Sequence, residues 1–210
     1  LSKSLVDNFL NVDGTPVDPT DEKYKDFNEV FKDRDGRLLA MVMHTGCKFK
    51  SNSLMNVRVY DETGTEAEQK EKNKDISSPR LNGDGIYKNV TGFHTRLGID
   101  TTYVTGNCET AHVMFRYAEG LLCYAEAAAE LGQYNDNVAE KTLKPLRQRA
   151  GVVYVTPVAD PHFPFQGLPP AVQEVRRERR SELSLQGFRL DDLMRWRVAG
   201  TLKGVEGRGR

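Results

Sequence analysis

What this chain has little of narrows its chemistry first. Its 210 residues hold only three cysteines, Cys47, Cys108 and Cys123, with no Cys-x-x-Cys spacing. Neither a disulfide framework nor a zinc site is signalled by so few, so spaced. An excess of either charge is absent too. Lys+Arg and Asp+Glu both number 30, so no net field draws the chain to nucleic acid or to an anionic membrane surface. Hydrophobic residues are 38% and mean hydropathy is −0.58, and no apolar run approaches the roughly 18–20 residues of a spanning helix. These values suit a loop-rich soluble protein. The opening LSKSLVDNFL has no basic start, long apolar stretch or small-residue cleavage site. The expectation is therefore a cytoplasmic chain or one whose true N-terminus lies upstream.

Catalytic signatures are missing as well. GxSxG, the P-loop and GxGxxG do not occur, so the common nucleophile and phosphate motifs are not in play. His44, His94, His112 and His162 are dispersed, none in HExxH or a close Cys/His cluster, and neither a metal site nor a cofactor is expected. DRDGR at 33–37 has the look of a calcium loop, but its register puts Phe31 at the first ligand position and Val42 at the twelfth. An acid belongs there, so the stretch reads as a plain turn. The sequon Asn89-Val90-Thr91 carries no functional weight. Paired carboxylates for glycoside hydrolysis are set by spatial spacing, so that class stays open.

What is present divides near residue 110. Turn dipeptides recur before it, among them Asp13-Gly14, Asp35-Gly36, Asn82-Gly83 and Gly106-Asn107. Leu5, Val6, Phe9 and Leu10 fit one face of a short helix, and Tyr24, Phe27, Val30 and Phe31 fit a second. Leu38 to Met43, and the alternation of Met55, Val57 and Val59, read as strands. Residues 61–80 offer little to bury and read as a solvated insertion or mobile loop.

After residue 110 helical periodicity dominates. In RYAEGLLCYAEAAAELG (116–132) and just before it, Met114, Tyr117, Ala118, Leu121, Tyr124, Ala125, Ala128 and Leu131 form the expected inner face. Arg116, Glu119, Cys123, Glu126 and Glu130 fall outside it. Gly132 ends this helix. A second begins near Asn137, with Ala139, Leu143, Leu146 and Ala150 inward, and Pro145 kinks or interrupts it. The pair resembles one tetratricopeptide unit. A third helix opens at Pro169-Pro170, and DDLMRW makes a fourth. The basic run RRERR (176–180) is interleaved with Glu174, Glu178 and Glu182, so a solvated, salt-bridged face is expected and not a nucleic-acid patch. Arg179 alone points inward, where a guanidinium needs a carboxylate. Glu119 and Glu126 are its expected partners, in a structural ion-pair network.

Three motifs in order carry a resemblance: RYAEGLLCYAEAAAELG, LRQRAG at 146–151, and RRERRSELSLQGFRLDDLMRW at 176–196. Together they resemble the C-terminal region of SusD/RagB-like proteins. Arg116, Glu119, Glu126, Arg147, Arg149, Gly151, Glu178, Arg179, Glu182, Gly187, Arg189, Asp192 and Trp196 match the family pattern. Upstream, LVDNFLNVDGTPVD, FKDRDGRLLAMVM and VTGFHTRLG are similar to further family segments. Gln186, Lys144 and Gly36 depart from the pattern at a usual glutamate, asparagine and proline.

The resemblance implies a mainly α fold, with tetratricopeptide-like helical hairpins and a loop-rich region carrying short β-strands, as an incomplete SusD-like fold. Residues 1–110 would be the loop-rich, ligand-facing region, 111–200 the helical motif region and 201–210 a tail, all within one C-terminal domain. It implies a surface-exposed outer-membrane lipoprotein, held by an N-terminal lipid anchor not in this chain. That protein would capture glycan without cleaving it, for a SusC-like TonB-dependent transporter. Sugars are gripped by aromatic faces and by polar groups on loops, so Tyr60, Tyr87, Asn89, Phe93 and Tyr103 are the candidate ligand residues. The network expected to be structural comprises Arg116, Glu119, Glu126, Arg147, Arg149, Glu178, Arg179, Glu182, Arg189, Asp192 and Trp196. The rival readings are a peptide-binding relative or tetratricopeptide scaffold, and a glycoside hydrolase.

Overall fold

The computed structural model describes residues 1–49, 52–58, 61–77, 91–100, 111, 113–165 and 167–198. Its helices are α1 (Lys3–Val6), α2 (Gly36–Met41), α3 (Glu66–Lys72), α4 (Tyr117–Glu130), α5 (Asp136–Lys141), α6 (Leu143–Ala150), α7 (Pro170–Glu182) and α8 (Phe188–Arg195). One antiparallel pair, β1 (Lys48–Phe49) with β2 (Ser53–Leu54), is the sheet among the described residues.

Aromatic packing holds the first half together. Phe27 stacks on Phe93 at 5.7 Å between ring centroids and meets Phe31 edge-on at 5.1 Å. Val6, Phe9, Val30, Leu38 and Val42 close around them. The segment expected as one helix through Tyr24 and Phe31 is two 3₁₀ turns, Glu22–Lys25 and Glu29–Phe31. Asp26 separates them, because its carboxylate accepts from the backbone N–H of Asn28 and Glu29 and so competes with helix continuation. Arg34 is buried and forms no ion pair among the described residues. Its guanidinium donates to the carbonyls of Val6 (2.8 Å), Phe9 (2.9 Å) and Val30 (2.9 Å), tying two passes of chain together.

Two local expectations are corrected. Leu38 to Met43 is not a strand: α2 covers most of it, started by the Asp35 carboxylate accepting from Arg37 N–H at 2.9 Å. A short apolar run leaves helix and strand equally open, and here the N-cap decides. Val42 is extended and bridges Thr95. Within 61–77 the chain is not structureless, since α3 forms with no buried residue. A capping box between Thr65 and Glu68 satisfies its first N–H groups. Met55 and Val57 are buried as the alternation suggested, but residues 55–58 form no strand, and β2 ends at Leu54. Val59 lies outside the described residues.

In the second half, α4 packs on α5, α6 and α7. Gly132, at φ +68°, closes it. The following helix is broken at Thr142 (φ −125°, ψ −85°), which puts Pro145 in the first turn of α6, where its missing N–H has no intrahelical partner to lose. The inner face of α4 is rotated from the expected one. Ala118, Leu122, Ala125, Glu126 and Ala129 are buried, while Met114, Tyr117 and Leu131 are at least 70% exposed. Small alanines let α7 approach closely, and Glu126 is needed inside by the arginines described below. Helical repeats bury such an outer stripe against a neighbouring unit.

The halves interlock. Asn8 Nδ2 donates to Arg177 O (3.1 Å) and Ser181 Oγ (2.8 Å), and Val153 N donates to Val12 O (2.8 Å). Gly14, at φ +85°, lies under that last contact, and a Cβ there would sit 2.3 Å from Val153 O. Gly14→Ala is therefore expected to cost roughly 2–4 kcal/mol from backbone strain plus overpacking. Urea unfolding measures it, and an unshifted midpoint would show that the join yields.

Candidate functional site

Every residue of α7 except Pro170, Ala171 and Arg180 is buried. The RRERR face is salt-bridged as expected, but it is not solvated. α4, α6, α8, the segment between α6 and α7, and the first half surround it, and its buried charges meet counterparts from them or from α7 itself. Glu174 accepts from Arg147 and, at 3.2 Å, from Arg177. Glu178 accepts from Arg37 and, at 2.9 Å, from Arg147. Glu182 gathers Arg37 (2.9 Å), Arg116 (2.7 Å) and Arg149 (2.6 Å). Arg177 also reaches Asp160 at 2.6 Å.

Arg179 is inward and pairs with Glu126 as expected, but a second carboxylate lies closer to it. Asp192 of α8 takes its Nε at 2.8 and 2.9 Å, and Glu126 stands 3.8 Å away. Glu126 also accepts both Arg195 nitrogens at 2.6 Å and the Trp196 indole N–H. Glu119 is half-buried and forms no ion pair among the described residues. Arg189 lies 5.8 Å from the Phe165 and Trp196 rings and has no carboxylate partner among the described residues. Burial lowers its pKa, as expected for a guanidinium without a full counter-charge.

Sequence reasoning missed Arg37, Asp35, Asp160, Glu174, Arg177 and Arg195 as members of this network. The Glu174–Arg177 and Asp192–Arg195 spacings of three carried a signal on helices. Arg37 carried none, because 141 residues separate it from Glu178.

Burial pushes the Glu178 carboxyl up, but the guanidiniums of Arg37 and Arg147 outweigh it and hold its pKa at about 2. Glu126 and Glu182 are likewise opposed by burial, yet end below the usual value because Arg195 with Trp196, and Arg149 with Arg37, hydrogen-bond their charged forms. A depressed folded pKa stabilises the fold above the unfolded value of 4.5 and loses that contribution as pH falls toward about 2. Thermal midpoints should hold steady from pH 7 to about 5 and drop steeply below about 4. A midpoint flat to pH 3 would mean these carboxylates are not charged in the folded protein.

Beside this ionic core, α4, α7 and α8 enclose a cleft of about 590 Å³. It is lined by Cys123, Glu126 and Glu130 of α4, by Arg176 and Arg179 of α7, and by Arg195, Trp196 and Arg197 at the end of α8. Guanidinium groups flank the Trp196 ring, Arg176 at 4.5 Å and Arg195 at 5.2 Å. Arg176 Nη2 donates to Glu130 at 2.9 Å. Among the described residues no group of three or more His, Cys, Asp and Glu could hold a metal ion, and no helix is long and apolar enough to cross a membrane.

Of the candidate ligand residues, Tyr60, Tyr87, Asn89 and Tyr103 lie outside the described residues. Phe93 is corrected: it is 0% exposed, packed between Phe27 and Phe31, and offers a ligand no surface.

The same fold occurs in solved structures. A SusD-like carbohydrate binding protein from Bacteroides fragilis is 28% identical, with a TM-score of 0.64, over 94% of this chain and 35% of its own. A second SusD-like protein from that organism is 22% identical, with a TM-score of 0.65, over 94% of this chain and 36% of its own. The chain thus spans about a third of the length of the structures it matches. No curated protein sequence matches it. The model of the SusD family matches residues 1–207. With helices, interlocking order and family model in agreement, the chain belongs to the SusD family.

Proposed function

We propose that this chain is part of a surface glycan-binding protein, which captures oligo- or polysaccharide and delivers it to a SusC-like TonB-dependent transporter. The observation that carries the reading is the 28% identity, over 94% of the chain, to a structure described as a carbohydrate binding protein. In this reading the protein sits at the outer-membrane surface through an N-terminal lipid anchor, and it binds without cleaving. The loop-rich first half faces the ligand, with Tyr60, Tyr87, Asn89 and Tyr103 as the contacts. Glu126, Glu178 and Glu182 are spoken for by arginines, which fits a structural role for them better than acid–base work.

The test is titration of the intact protein against a panel of polysaccharides and oligopeptides, with co-purification of a TonB-dependent transporter. Oligosaccharide binding together with transporter recovery is expected. Binding of peptides alone would replace the reading with a peptide-handling one. Release of reducing sugar, lost on one Asp or Glu substitution, would replace it with hydrolysis.

A further inference from the structure

We infer that the cleft between α4, α7 and α8 binds the anionic group of an acidic sugar, a carboxylate or a sulfate ester. The inference rests on the glycan-capture reading, adds to the loop-borne contacts of the first half a second contact on the helical half, and narrows the ligand class. Two arginines at the cleft have donor capacity left over. Arg176 is 93% buried, and its Nε has no acceptor among the described residues. A buried N–H left unmade is costly, so a shift of this side chain that brings its Nε to an acceptor in the cleft is favoured. Arg197 has the positive φ of 58° that few L-residues adopt, which carries its exposed side chain to the cleft. Its backbone N–H is used on Met194 O at 3.0 Å, but its guanidinium forms no hydrogen bond or ion pair among the described residues.

The acceptors already present cannot absorb this capacity. Glu126 is committed to Arg195 and Trp196, and Asp192 to Arg179 and Arg195. Arg176, Arg179, Arg195 and Arg197 face Glu126, Glu130 and Asp192, so the cleft keeps an excess of positive charge. A planar carboxylate or a sulfate matches the two parallel N–H groups of an unpaired guanidinium, which neutral sugar hydroxyls match less well. Glu130, half-exposed at the rim, is placed to accept from a ring hydroxyl. The volume of about 590 Å³ lies within the roughly 300–1,000 Å³ of small-molecule pockets and admits a sugar unit with its charged group.

Calorimetric titration of the intact protein tests this with oligogalacturonate, a sulfated oligosaccharide, a neutral oligosaccharide of equal length and polyglutamate. One or both acidic sugars should bind more tightly than the neutral one, and more weakly as salt is raised. Whichever of the two binds more tightly identifies the anion as carboxylate or sulfate. Arg197→Gln should weaken acidic-sugar binding about tenfold with an unchanged thermal midpoint. Arg197→Gly, which suits the positive φ, should do the same. Equal affinity for neutral and acidic sugars, or no effect of either substitution, overturns the inference and leaves glycan capture standing. Polyglutamate bound as tightly as the sugars overturns the sugar assignment. No binding of any oligosaccharide overturns both.

Discussion

Glu178→Ala is expected to remove roughly 3–5 kcal/mol of stability, because it strips a shared carboxylate from the buried Arg147 and the largely buried Arg37. Arg147 has no solvent exposure and would keep only Glu174, and Arg37 would keep Asp35 and Glu182. Water cannot solvate Arg147 where it stands, so the lost Coulomb attraction is not replaced. Whole-domain stabilities are roughly 5–15 kcal/mol, so this one change consumes a large share. The thermal midpoint should fall by about 10 °C. A fall of about 2 °C or less would mean that the remaining carboxylates rearrange to cover both arginines.

Asp192→Asn should loosen α8 before the rest of the protein. Asp192 is 3% exposed and holds Arg179 and Arg195 at once. The apolar anchoring of α8 is Leu193, in a small cluster with Phe163 and Phe165, and Phe188, packed against the core between α4 and α7. A loss of roughly 3 kcal/mol from the ionic side therefore falls on an element held by few apolar side chains. Trp196, the sole tryptophan, reports the event directly through its indole bond to Glu126. Its fluorescence should shift to the red at temperatures below the main unfolding transition. Coincidence of the fluorescence and far-UV transitions in the variant would show that α8 unfolds only with the whole.

The long helices were legible because their ends are chemically marked. Gly132 stops α4, Pro170 starts α7, and both boundaries fall where those residues require. The faces of those helices were not. Hydrophobicity pointed α4 inward through Tyr117 and Leu131, but both are exposed. The deciding force lies on other helices, in arginines at 179 and 195 that need Glu126 close to them. A periodicity argument scores each helix as though its surroundings were uniformly apolar, and the surroundings of α4 are charged. The same blindness made RRERR look solvated. Nothing local in that run records that Arg37, Arg147 and Asp160 come from elsewhere to meet it.

The ordered motifs fared better, since they place arginines and glutamates without needing to say which pairs with which. Arg116, Arg147 and Arg149 all converge on α7 glutamates. Among the ligand candidates the aromatic criterion could not tell a loop surface from a small core, and Phe93 fell on the core side.

The central claim is that the charges of α7 exist for one another and for the fold. A double-mutant cycle on Arg147→Met and Glu178→Leu tests it most directly. The account predicts that each single change is severely destabilising, whereas the pair together recovers much of the loss, with a coupling of about 2 kcal/mol or more by denaturant unfolding. Additive losses, with no recovery in the double variant, would contradict it.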